Sequence, residues 1–211
     1  MIEFNAFHDL LLPELPRCTV PMVNLQLLHT AREFCQSTSA WTSAFDDLAL
    51  LPGVTTYELF PVELEADTVR LSSLRSATEL LWQDRDREAK EIGQTDARYT
   101  SNEPPFSLSS DLLSITLAAH QAPTAAGVLT LTGIVKPALN ALTLPDLLMS
   151  QYSDAMRFGV LARLMEMGKK PWTDRELAAK YFADWRQAVS FAAYQVQVGN
   201  TRAPLRVRSY G

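Results

Sequence analysis

The 211-residue sequence predicts an α+β fold: a helical bundle of about three to four helices, an inserted β-rich domain and an extended C-terminal arm. Three observations predict it. Apolar residues recur at helical spacing through residues 1–41 and again through 144–200. Between them, residues 42–143 break into short alternating runs punctuated by Pro, Gly and acidic turns. Finally, no Asp or Glu follows Asp184, and residues 201–211 concentrate Arg202, Arg206 and Arg208 in a chain whose net charge is −5.

The opening FHDLLLPELPRCTVPMV reads as a capped short helix and a proline-rich turn. The first long helix follows in PMVNLQLLHTAREFCQSTSAW, with Pro21 tolerated in its first turn. Val23, Leu27, Ala31, Phe34, Thr38 and Trp41 share one face, and Arg32, Glu33 and Gln36 lie off it. SAFDDLALLPGVTTYELFPV, ADTVRLSSLR and GVLTLTGIVKP read as strands, the last alternating Val128, Thr130 and Thr132 with Leu129 and Leu131 and ending at Pro137. A second long helix is expected after Pro145, with Asp146 near its start and Gly168 as its stop. The third begins at a Thr173–Glu176 capping box and buries Leu177, Phe182, Trp185, Val189 and Ala192, with Tyr181 beside them. Helices from the two ends of the sequence then need each other to bury their apolar faces.

Little in the sequence carries chemistry. His8, His29 and His120 stand at no metal-binding spacing, and no cluster with Cys18 or Cys35 suggests zinc. Both cysteines read as reduced, small apolar residues. Only 8 glycines are present, and no phosphate-cradling or nucleophile-elbow motif occurs. Asp84 and Asp86 in DRDRE match an Asp-x-Asp metal pair, but alternating charge describes a solvated loop equally well. Glu63 and Glu65 in VELEAD mimic an acid/base dyad without a third polar residue to support it. Trp41, Trp82, Trp172 and Trp185 read as helix-end or core anchors, with Trp82 the one candidate sugar platform. No cofactor is expected. The first residues lack a basic segment before their apolar run, and no run reaches the roughly 20 residues of a membrane span. The expectation is a protein made and used in the cytoplasm, or in something assembled there.

Two stretches resemble phage head–tail adaptor proteins. In HTAREFCQSTSAW the run Ala31-Arg32-Glu33-Phe34-Cys35 is followed by Thr38 and Trp41, similar to the first helix of that family. LPDLLMSQYSDAMRFGVLARLMEMGKKPWTDRELAAKYFADWRQAV resembles its C-terminal pair of helices. The matching residues are Tyr152, Asp154, Ala155, Gly159, Leu161, Ala162, Arg163, Leu164, Lys170, Pro171, Trp172, Tyr181 and Trp185. The turn departs from the family pattern by one extra lysine, and residues 42–143 match nothing specific. The resemblance covers about a third of the chain.

It implies a non-enzymatic structural role in the virion neck. Such adaptors form a ring, commonly dodecameric, below the portal protein, extend the DNA channel and seat a tail nozzle or tail-tube protein. Their C-terminal arm reaches into the portal. Here that arm would grip with Arg202, Arg206 and Arg208 on acidic grooves and with Leu205, Val207 and Tyr210 in shallow pockets, ordering on docking. An acidic lumen would pass genomic DNA without holding it. Rival readings are a stopper or tail terminator, a cell-wall enzyme using Glu63, Glu65, Asp84 or Asp86, and a host-made binding module.

Overall fold

A computed structural model describes residues 1–45, 47–59, 65–76, 106–109, 114–117 and 126–198. Its longest buried face belongs to helix α2 (Val20–Thr38). Val23, Leu27, Ala31, Phe34 and Thr38 are all buried, so the three-and-four spacing identified the inward face of the helix; Trp41, expected on the same face, is buried but lies beyond the helix, which ends at Thr38. Thr38 closes the helix: its hydroxyl donates to the Phe34 carbonyl at 2.8 Å and accepts the Ala40 N–H at 3.2 Å. Ser39 then takes the left-handed conformation (φ 58°) that glycine usually supplies, and its N–H bonds the Cys35 carbonyl.

Ahead of α2, strand β1 (Ile2–Glu3) leads into helix α1 (His8–Leu11), which is flanked by 3-10 turns. The expected cap is absent, because Phe7 stands at the N-cap and makes no side-chain bond there. His8 instead shares a 2.8 Å hydrogen bond with Asn24 of α2. β1 pairs antiparallel with β9 (Thr143–Leu144), and the N-terminal ammonium meets Asp146 at 3.0 Å.

The strands form two further sheets. β8 (Gly127–Pro137) is the central strand of the larger one. Along one edge it pairs in turn with β3 (Leu48–Leu50) and β2 (Thr42–Ala44), and along the other with β5 (Ala66–Ser76), all antiparallel. Register shifts in β5 after Thr68 and Leu71 mark bulges. Leu129, Leu131 and Val135 of β8 are fully buried, as alternation requires. Arg32 ties α2 to this sheet by donating to Asp67 of β5 at 2.8 Å and to the Pro137 carbonyl. The smaller sheet, in the order β4 (Thr56–Glu58), β7 (Ser114–Leu117), β6 (Phe106–Leu108), buries Tyr57, Ile115 and Leu117. Tyr57 donates to the Val54 carbonyl at 2.8 Å, fixing the turn that holds Gly53 at φ 78°.

The second helical stretch is two helices, not one: α3 (Asp146–Ser150) and α4 (Ser153–Glu166). The break falls at Gln151–Tyr152, where the Tyr152 ring packs 4.8 Å from Phe34 and its carbonyl accepts the Met156 N–H. Ser153 and Asp154 then occupy the first turn, where polar and acidic residues suit a helix start. After α4, Lys169 rather than Gly168 takes the left-handed position (φ 62°). Helix α5 (Arg175–Val198) starts one residue later than the capping box required. Asp174 caps it, accepting the Leu177 N–H at 3.0 Å. Thr173 is spent on the preceding turn, donating to the Met167 carbonyl and accepting the Lys170 N–H at 3.0 Å.

Along α5 the deepest residues are Ala178, Trp185 and Ala192, one every seven, with Tyr181 and Ala188 between them. This is the spacing of a narrow helix–helix seam. Phe182, expected in the buried stripe, lies outside that seam and is 42% exposed. Among the described residues, one apolar core runs from α1, α2, α4 and α5 into Leu129, Leu131 and Val135 of β8.

Candidate functional site

The three long helices meet where α4 carries its glycine. A Cβ on Gly159 would stand 2.6 Å from Thr30 Cγ2 and 2.7 Å from Trp185 Cε3, so only glycine lets the helices approach this closely. One turn on, Arg163 bridges the same three elements. Its guanidinium donates to Thr30 Oγ1 at 3.0 Å, to the Gly159 carbonyl at 2.9 Å and to the Glu33 carboxylate. It also lies 5.4 Å from the Trp185 ring centroid. Phe34 completes the junction, 4.8 Å from Tyr152 and 5.9 Å from Trp185. A half-buried arginine would be costly alone, but here its guanidinium has partners and its face has an aromatic ring.

A second polar cluster stitches the first turns of the chain to the hairpin. Arg157 donates from Nε to Glu14 at 2.9 Å and also from Nη2, and the Tyr181 hydroxyl donates to the other Glu14 oxygen. These bonds raise the Tyr181 pKa above its usual value and raise that of Arg157 as well. Burial pushes the Cys35 thiol up to about 12, so it is an inert core group.

The residues named from the sequence come together: Glu33, Arg163, Gly159, Trp185, Phe34 and Tyr152 are linked by successive contacts at this junction. Trp172 is buried at the turn before α5. The proposed arm residues Arg202, Leu205, Arg206, Val207, Arg208 and Tyr210 lie outside the described residues, as do Glu63, Asp84, Asp86, Trp82 and His120. Glu65 is described, and its carboxylate serves the backbone. It accepts the Thr143 hydroxyl at 2.7 Å and the N–H groups of Thr143 and Leu142 at 2.8 and 3.1 Å. Those bonds, the Thr143 hydroxyl first, hold its pKa below the ordinary carboxylate value. Among the described residues, no group of three or more His, Cys, Asp or Glu is placed to hold a metal ion. Among them, too, no helix is long and apolar enough to cross a membrane.

Outside the junction, α5 carries exposed aromatics that the sequence reading passed over. Phe191 is 60% and Tyr194 58% exposed. Helical geometry gave the signal, since both fall off the Ala178–Trp185–Ala192 line. With Phe158 and Ala188 they line a groove of about 700 Å³. On the other side of the hairpin, Phe182 lines a groove of about 530 Å³ with Ala162 and Arg163. Comparison of the chain with protein-family models and with curated protein sequences gives no match.

Proposed function

We propose that this protein is a head–tail adaptor of a tailed phage, a structural neck component that forms a ring under the portal, extends the DNA channel and seats the tail. One observation carries the reading. Residues that resemble the adaptor signature in separate stretches of the sequence, Glu33-Phe34 in α2, Tyr152, Gly159 and Arg163 before and within α4, and Trp185 in α5, are bonded or packed to one another. Their contacts join the resembling stretches at one bundle junction, from which α5 runs to Val198.

In this reading the bundle is the rigid base, α5 delivers the chain to the portal, and residues 202–210 supply the grip through arginine pairing and small apolar anchors. The test is mass photometry of the purified protein mixed with the portal ring encoded in the same genome. A discrete gain of many copies per portal is expected, and deletion of Arg202 to Gly211 should abolish that gain while leaving a folded chain. An unchanged portal mass with the full-length protein overturns the reading.

A further inference from the structure

The α4–α5 hairpin has two unlike flanks. Phe182 and Phe191 are nine residues apart, which on an α-helix places them about 180° around the axis. The Phe182 flank is basic. Arg186 lies over the Phe182 ring at 4.6 Å, and Arg175 and Arg163 line the groove beside it together with Glu166. The Phe191–Tyr194 flank has Asp184 as the charged residue lining its groove, with Lys180 one turn earlier and outside it, and Arg157, held by Glu14, 5.9 Å from the centroid of the lining Phe158 ring. Each flank therefore combines exposed aromatic surface with a groove, and the residues lining the two grooves carry opposite net charge.

We infer that these flanks bind each other between copies of this chain: the Phe182–Arg186 side of one copy seats on the Asp184–Phe191–Tyr194 side of the next. Charge complementarity selects the pairing, with Arg186 and Arg175 facing Asp184. The three aromatics contribute roughly 300 Å² of exposed apolar surface, enough for the centre of an interface of the usual size. Because the flanks lie on opposite sides of one hairpin, each contact leaves a free flank at either end. Such a heterologous contact propagates, closing into a ring or running on as a filament. The inference deepens the ring reading above and rests on it for closure.

Two variants isolate the flanks, F182S/R186E and F191S/Y194S, each checked for native fold by circular dichroism. Sedimentation equilibrium over a concentration series should give a wild-type mass that climbs past two copies. Each variant alone should stay at the 23.5 kDa of one chain. Their equimolar mixture should stop at a dimer, since one intact flank remains on each partner. Wild-type protein that stays monomeric, a variant that associates like wild type, or a mixture that forms no dimer overturns the inference. A charge test stands independently of aromatic loss: D184R and R186D should each weaken association, and the two together in one chain should restore part of it, with Arg175 unchanged. Failure of that restoration also overturns the pairing. Loading on the portal separates the two proposals. Flank variants that load as fully as wild type sink the interface and leave the adaptor role standing. Flank-dependent self-association without any portal gain does the reverse.

Discussion

Gly159 of α4 faces the indole of Trp185 in α5 so closely that a methyl group on the glycine would lie 2.7 Å from Cε3 and 2.6 Å from Thr30 Cγ2. Neither neighbour has room to withdraw, since Thr30 is fully buried and Trp185 is 3% exposed. Gly159→Ala gains helix propensity but must push two helices apart. Overpacking of this kind costs about 1–3 kcal/mol. Thermal and urea unfolding of the variant should show a clear loss of stability; a midpoint equal to or above wild type would remove the close approach from the account.

The start of α5 gives a second prediction. Asp174 provides the cap, so Asp174→Ala should cost about 1 kcal/mol in urea unfolding. Glu176, the other half of the expected capping box, should be replaceable by Ala within about 0.5 kcal/mol. Thr173→Ala should also destabilise, because its hydroxyl holds the turn at Met167 and Lys170. Equal costs at 174 and 176 would restore the capping box.

The difference between those two caps illustrates what was legible. The face of α2 from Val23 to Thr38 could be read directly, because burial against a core imposes a strict period. Strand β8 and its end at Pro137 were equally plain. Local details decided by competition for the same polar groups were not. Thr173 and Asp174 both suit an N-cap, and only the tight turn at Met167–Lys170 decides between them. The break at Tyr152 was hidden because apolar spacing continues through it and the ring is drawn to Phe34, far away in sequence. Phe182 was placed in the core because it lies three residues from Trp185 in the expected stripe. At that level α4 offers Ala162 and Glu166, which leave a groove instead of covering it. The joining of Glu14 to Arg157 and Tyr181 had no signature at all, since these contacts span more than a hundred residues.

Glu65 makes stability depend on pH in a defined direction. Its pKa lies below the ordinary 4.5 in the folded chain, because the Thr143 hydroxyl and two N–H groups bond the charged form. A group depressed on folding contributes stability above its unfolded pKa and loses it as pH falls through the folded value. Wild type should therefore exceed Glu65→Gln in stability at neutral pH, with the gap narrowing below pH 4.5. The site is open to water, so the gap should stay under about 1 kcal/mol and shrink with salt. Paired urea titrations across acid pH measure it, and a gap that widens on acidification contradicts the assignment.

The two thiols should differ in reactivity. Cys35 is fully buried with its pKa pushed up to about 12, whereas Cys18 is partly exposed and raised by lesser burial. In native protein at mildly alkaline pH, Ellman's reagent should titrate one thiol, and Cys18→Ser should abolish that signal. Unfolding should release the second. Two fast thiols in the native state would mean that the Cys35 region opens far more readily than its packing allows.

The cluster of Glu14, Arg157 and Tyr181 joins the first turns of the chain to the hairpin, and its members should act as a unit. Glu14→Ala leaves Arg157 without its carboxylate partner and the Tyr181 hydroxyl without its acceptor. Tyr181→Phe removes one of those bonds and leaves the ion pair intact. Each change alone should destabilise, Glu14→Ala by more, and the double variant should cost less than their sum by about 0.5–1.5 kcal/mol. The same bond keeps the Tyr181 phenol protonated to higher pH than in the unfolded chain. Its contribution is present below the unfolded phenol pKa near 10 and is lost as pH rises through the folded value. Wild type and Tyr181→Phe should therefore converge in stability under alkali. Additive costs, or a difference that persists unchanged above the phenol range, would mean that the hydroxyl and the carboxylate contribute separately.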